Sequence, residues 1–216
     1  MTDFFNFADL TWPEVASLRR DCPLVIGLGE GYPLEKLAEA LENPARLGLL
    51  PSIPYGWRGS GLAVPEALLG KYVSTLVDSL REDGFSRVYA LTPPGIDLGL
   101  GADRLVLLSN ARPSTCLPPD EQRGKVILIP VGHTEQHGYH LPLSVDTLCI
   151  EAVSQGTAAA VPGQAYSLPV MPYGVSTHRA SFAGTLNAGG RAFEDFYLGV
   201  LDVLVGRGFD RIYLLS

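Results

Sequence analysis

Apolar positions along the chain fall into two alternating patterns, short continuous runs and longer stretches with helical spacing. Residues 24–28, 88–91, 126–131 and 212–215 are the runs, rich in apolar residues, with Pro and Gly at or beside the first and third. Such runs predict strands buried on both faces. Leu69, Tyr72, Val73, Leu76, Val77 and Leu80 recur at i, i+3, i+4, i+7, i+8 and i+11, which marks one face of an amphipathic helix. Phe193, Phe196, Tyr197, Val200, Leu201 and Leu204 keep the same spacing. A first helix is predicted after Thr11, with Pro13 in its opening turn and Glu14 three residues beyond the cap. Another is predicted over residues 34–41, and one more strand over residues 104–108. Buried strands alternating with amphipathic helices predict an α/β fold of three layers, α/β/α, with a mostly parallel sheet.

The patterns also repeat. Leu50-Pro-Ser-Ile-Pro-Tyr-Gly56 returns as Leu168-Pro-Val-Met-Pro-Tyr-Gly174, and each is followed by one of the two matched helices. Gly84-Phe-Ser-Arg-Val-Tyr-Ala-Leu91 returns as Gly208-Phe-Asp-Arg-Ile-Tyr-Leu-Leu215, with Gly closing the helix before the next strand. Ile26-Gly-Leu-Gly29 and Ile129-Pro-Val-Gly132 extend the match backwards. The expected organisation is a tandem repeat of one βαβαβ unit, in residues 1–109 and 125–216, joined by a polar, Pro-rich linker at 110–124.

Only the second copy carries a constellation of metal-binding side chains. The run at 126–131 leads directly into Glu135, His137 and His140, and Asp146 follows just before a predicted helix. In an extended segment Glu135 and His137 project to one side and Gln136 to the other, so carboxylate and imidazole can share a site. Asp146 returns to the same rim. A hydrogen-bonded polar cluster and a metal site both satisfy this spacing. All four histidines, His133, His137, His140 and His178, lie in this copy, whereas the first has Glu30 with no histidine near it.

Gly132-His-Thr-Glu-Gln-His-Gly-Tyr-His-Leu-Pro142, with the later Val145-Asp-Thr147, resembles the signature of the creatininase family of metal-dependent amidohydrolases. Residues 173–186, YGVSTHRASFAGTL, resemble that family's second block. The resemblance implies that Glu135, His137 and Asp146 are ligands of a two-metal centre, with Asp146 bridging both ions. It further implies hydrolysis of a non-peptide, amide-type C–N bond, cyclic or linear, and a creatininase-like fold. Zinc, manganese and iron all suit carboxylate and imidazole ligands without thiolate. The chain departs from the pattern at His133, where a small residue is usual, and at Tyr139, Ser144, Val145 and Ala183; none of these removes a ligand. His140 is expected to orient the ligand loop, and His178, Tyr139 and Ser176 are the remaining candidates for supporting the ligands or touching substrate. His133 is expected to be structural or to line the substrate pocket.

The same resemblance places a further histidine block after the strand that ends at Ser216, and an acidic catalytic residue beyond it. Residues 125–216 are thus expected to form the N-terminal portion of a metal-binding domain, completed by a continuation or by a second chain, with no catalytic acid or base among them. Residues 1–109 are expected to be a degenerate, metal-free copy supplying an interface that identical subunits otherwise supply by pairing, in an oligomer. Two other functions fit: a scaffold subunit with a structural metal, and a tailoring enzyme that rearranges or oxidises its substrate.

Composition narrows the partners. The 16 basic residues against 23 acidic ones give a net charge of -7 and form no basic stripe, which argues against nucleic acid and anionic membranes. A small-molecule substrate is expected instead. Three cysteines without CxxC spacing predict core thiols in a reducing, cytoplasmic setting. Gly27-Leu-Gly29-Glu-Gly31 fails as a dinucleotide fingerprint because Tyr32 stands where its third glycine belongs.

Overall fold

The computed structural model describes residues 1–110 and 115–216. The chain forms two parallel sheets. The first contains β1 (Asp3–Asn6), β2 (Leu24–Gly27), β3 (Arg46–Leu49), β4 (Val88–Thr92) and β5 (Arg104–Val106), in the spatial order β1-β3-β2-β4-β5. The second contains β6 (Val126–Pro130), β7 (Ala165–Ser167) and β8 (Ile212–Leu215), in the order β7-β6-β8. Every pairing between these strands is parallel. Helices α1 (Trp12–Ser17), α2 (Leu34–Ala40), α3 (Glu66–Glu82), α4 (Val145–Ala160) and α5 (Gly190–Gly206) supply the crossovers and caps.

Alternation along β2 explains the layering. Leu24 and Ile26 join the large core with α3 residues such as Leu76 and Leu80. Val25 turns the other way, into a smaller core with Leu37 and Leu41 at the α2 side. The strand is therefore apolar on both faces, as its uninterrupted Leu-Val-Ile sequence requires. In the second half Ile127 and Ile129 face Phe196, Val200 and Leu204 of α5 within the same large core. Its other face packs against α4.

Three strands of each half, in the order β3-β2-β4 and β7-β6-β8, share an arrangement and a register. Leu24 pairs with Val88 and Ile127 with Ile212, which are equivalent positions of the sequence repeat. Beyond the strands, Leu28 bridges Ile53 and Val131 bridges Met171. Gly29 N–H donates to Ile53 O at 2.9 Å, and Gly132 N–H donates to Met171 O at 2.8 Å. Each Pro-Tyr-Gly turn follows the bridge, and each tyrosine is fully buried.

The halves meet through α3 and α5 about a pseudo-twofold axis. Tyr72 stacks on its repeat counterpart Phe196, with centroids 4.5 Å apart and planes 19° apart. Tyr55 stacks on Phe196 at 6.3 Å, and reciprocally Tyr72 donates its hydroxyl to Tyr173 O at 2.5 Å. Thr75 likewise donates to Ala188 O at 2.7 Å, while its counterpart Gly199 packs on Val64, the counterpart of Ala188. Contacts of i with j′ and of j with i′ are the mark of an isologous interface.

Two features differ from the sequence reading. Strand β1 was not expected; Asp3–Asn6 pairs with β3 and forms the edge of the first sheet. Cys149, expected in the core, is exposed, whereas Cys22 and Cys116 are buried. The reason is that α4 presents little of its surface to the sheet, and Ser154 is its one buried residue. The expected linker falls partly on residues 111–114, outside the described residues. Within its described part, Asp120–Gln122 form a single 3₁₀ turn. No helix among the described residues is long and apolar enough to cross a membrane.

Candidate metal centre

The site lies beyond the carboxyl end of β6, the central strand of the second sheet, where parallel α/β folds place their ligands. After Val131 the chain leaves the sheet but stays tied down. Thr134, fully buried, donates its hydroxyl to Pro172 O at 3.0 Å and accepts Leu186 N–H at its carbonyl. Glu135 N–H donates to Leu143 O, and Gln136 N–H donates to Thr185 Oγ1 at 3.2 Å. These bonds keep the segment extended, so Glu135 and His137 share a side as their spacing predicts. Gly138 then turns with a φ of 76°, left-handed backbone that glycine adopts without strain.

Asp146 comes from the first turn of α4, where the helix dipole favours a carboxylate. Two residues of the opposite half hold the approach to it: Leu143 N–H donates to Leu10 O at 2.9 Å and Ser144 N–H to Ala8 O at 3.0 Å. The result is that one oxygen of Glu135, one ring nitrogen of His137 and one oxygen of Asp146 all lie within 4.8 Å of one another. Among the described residues this is the one such group of three or more.

Its hydrogen bonds prepare it for a cation. The His137 Nδ1 position meets the Glu135 carbonyl at 3.0 Å, which fixes the proton there and leaves the Nε2 lone pair toward Asp146 Oδ1, 3.0 Å away. Glu135 is only 4% exposed. Ser176 donates to its Oε2, and the Arg179 guanidinium lies 3.1 Å from its Oε1. A carboxylate offers about four lone-pair positions, so both oxygens can accept these bonds and still bind an ion. Two carboxylates and one correctly oriented imidazole fit a hard or borderline divalent metal.

Of the other expected residues, Ser176 is buried against Glu135. Tyr139 is 69% exposed, with its ring 5.5 Å from Trp12. His140 is exposed beside it, ring centroids 6.5 Å apart. His178 is exposed and accepts a bond from Arg179 Nε at 3.0 Å. The sequence reading missed Arg179, although it directly follows His178 in the second block. Trp12 was missed because it belongs to the other half; it also meets Phe182 at 5.5 Å, completing an aromatic cluster. His133, expected as a structural or pocket residue, lies 3.6 Å from Asp146 Oδ2 through its Nδ1.

In the first half the equivalent place holds no such group. Counting on from the paired glycines Gly29 and Gly132 puts Tyr32 and Leu34 where Glu135 and His137 stand, and Glu30 where His133 stands. A cavity of about 390 Å³ opens there, lined among others by Gly29, Glu30, Tyr32 and Ser52.

Residues 117–216 match the family model described as creatinine amidohydrolase, of the creatininase family. Over these residues the chain is similar to the creatininase family. The match is confined to the second half of the chain, which contains Glu135, His137 and Asp146. A mycofactocin precursor peptide peptidase of Mycobacterium ulcerans is 42% identical over 75 residues, covering 32% of this chain and 30% of the relative. Its counterpart in Mycolicibacterium smegmatis is 42% identical over 74 residues, with the same coverage of 32% and 30%. A creatinine amidohydrolase of Pseudomonas putida is 29% identical over 96 residues, 42% of this chain and 36% of the relative. The chain thus spans about a third of the length of the curated relatives it matches. No solved structure matches it at comparable significance.

Proposed function

We propose that this chain carries the metal-binding part of a metal-dependent amidohydrolase that cleaves an amide C–N bond, linear or cyclic, at a centre of two divalent ions. The observation that carries the reading is the convergence of Glu135, His137 and Asp146 within 4.8 Å, with the His137 tautomer set by a backbone carbonyl. Bound there, a divalent ion supplies Lewis acidity toward a carbonyl oxygen and toward water.

The chain's own residues do the rest of what can be assigned to them. Ser176 and Arg179 hold the Glu135 carboxylate in place and offset its burial. Trp12, Tyr139 and Phe182 form an aromatic cluster two residues along the chain from His137 through Tyr139, and would exclude water from one side of a bound amide. No general acid or base is assigned to this chain. Two ions require more donors than the three converging side chains, and the remainder would come from residues outside this chain, in a continuation or a second subunit. The relatives' names include both a peptidase and an amidohydrolase, which supports hydrolysis of an amide and leaves peptide and cyclic amide as the two substrate classes to compare.

The test is hydrolysis of a short-peptide panel and a cyclic-amide panel by the chain together with its completing part, before and after chelation. Activity lost on chelation and restored by zinc, manganese or iron is expected. Full metal content without hydrolysis of either panel would favour a structural metal in a scaffold subunit, and redox-active iron would favour a tailoring reaction.

A further inference from the structure

We infer that the first half carries a binding site of its own, for a small apolar molecule with a cationic head, and that its occupancy steadies the loop leading to Asp146. The site is the cavity of about 390 Å³ at the carboxyl ends of the parallel strands β2 and β3, a volume within the usual range of small-molecule sites. Val25, Leu37 and Leu91 give it a buried apolar lining. Asp9 and Glu30, both exposed, bring two carboxylates to it, and no lysine, arginine or histidine is among its described lining residues. Asp9 accepts a bond from the Asn6 amide at 2.9 Å, and neither carboxylate has a basic partner among the described residues. An ammonium head therefore meets uncompensated negative charge, and an anion of the same size is repelled. Gly27 keeps the space open. It follows Val25 by two positions on the same face of β2, and its repeat counterpart is Pro130. A Cβ there would stand 3.7 Å from both Ser52 Oγ and Tyr32 Cε2, which also line the cavity.

Two lining segments also reach the second half. Asn6, Ala8 and Asp9 line the cavity, and from the same segment Ala8 O accepts Ser144 N–H at 3.0 Å and Leu10 O accepts Leu143 N–H at 2.9 Å. These are the bonds that hold the approach to Asp146. Pro51, another lining residue, accepts at its carbonyl the hydroxyl of the buried Tyr173, just before Ser176 in the second block. A ligand that orders residues 6–10 and Pro51 thereby orders the loops bearing Asp146 and Ser176, with protection of the bonded amides as the observable.

The experiment titrates the full chain by calorimetry with benzylamine, benzyl alcohol and benzoate, probes of one size that are cationic, neutral and anionic at neutral pH, and then reads amide hydrogen exchange with benzylamine bound. One saturable benzylamine site is expected, with benzyl alcohol weaker and benzoate weaker still. Glu30→Gln changes an exposed side chain and leaves the core untouched. It should weaken benzylamine by about 2–5-fold, the range for an exposed ion pair, and leave benzyl alcohol unchanged, whereas Gly27→Ala should weaken both. Protection of the Leu143 and Ser144 amides should rise with benzylamine bound, beyond any change at Val126 at the far end of β6. No saturable benzylamine binding, benzoate bound as tightly as benzylamine, or benzylamine binding unmoved in Glu30→Gln and Gly27→Ala alike overturns the site. Binding that leaves Leu143 and Ser144 protection unchanged overturns its effect on the loop. None of these readouts involves a metal, so their failure is distinct from failure of the metal centre.

Discussion

Glu135 shows how the site is assembled residue by residue. Its carboxylate is buried, and two groups that sequence spacing alone does not connect to it, Ser176 and Arg179, make that burial tolerable. Ser176→Ala should therefore lower metal affinity by about 10–100-fold, the range for partners that orient a ligand, with little change in melting temperature; competition with a fluorescent chelator measures it. His137→Ala should abolish stoichiometric metal binding while far-UV circular dichroism stays unchanged, because β6 behind it is secured by apolar burial. Glu135, His137 and Asp146 were legible in the sequence, since the period of an extended strand and the start of a helix are both local. Arg179 was not, because its reach depends on how the loop after Ser176 folds back. Asp83 offers a separate test. Burial raises its pKa above the ordinary carboxylate value, against the opposing bond from Gly184 N–H at 2.7 Å. Ionisation is thus easier in the unfolded chain, so its contribution to stability is most favourable below the ordinary carboxylate pKa and declines as pH rises through the folded value. Asp83→Asn keeps an acceptor for Gly184 and should remove that decline; urea midpoints across the acid range check the sign.

Among the elements, α3 and α5 were the most legible and proved the most consequential. Their shared spacing of apolar positions predicted two amphipathic helices, and the structure turns both stripes toward each other. Legibility was poorest where a segment has a weak apolar signal or an unusual exposure: β1 lies at a sheet edge, and α4 is apolar in composition yet mostly uncovered. The reciprocal aromatic contacts were also illegible, because a repeat predicts equivalent residues without predicting that they touch. Phe196 is fully buried between Tyr55, Tyr72 and Tyr197. Phe196→Ala should cost about 3–5 kcal/mol, the range for deleting a core phenyl ring, read as a lowered urea midpoint at unchanged slope. A loss below 1 kcal/mol would mean that the interface relaxes around the gap.

For the whole molecule, one apolar core running from Phe7 to Phe209 binds both halves, so neither sheet is closed without the other. The N-terminal segment strengthens the link, since Ala8 and Leu10 hold the loop leading to Asp146 and Trp12 joins the aromatic cluster. The first half thereby helps to position the candidate metal-binding residues of the second. This arrangement predicts one cooperative unfolding transition, not two, because opening the α3–α5 interface would expose core residues of both sheets together. Trp12 and Trp57 are the two tryptophans and both lie in the first half, so their fluorescence reports that half, while hydrogen exchange at Ile127 and Ile129 reports the second. The two probes should give coincident transitions in urea, and Phe196→Ala should shift both by the same amount although the substitution lies in the second half alone. A fluorescence transition that stays in place while the β6 amides lose protection would show that the halves are independently stable, and would remove the mechanical basis for the first half's hold on the metal centre.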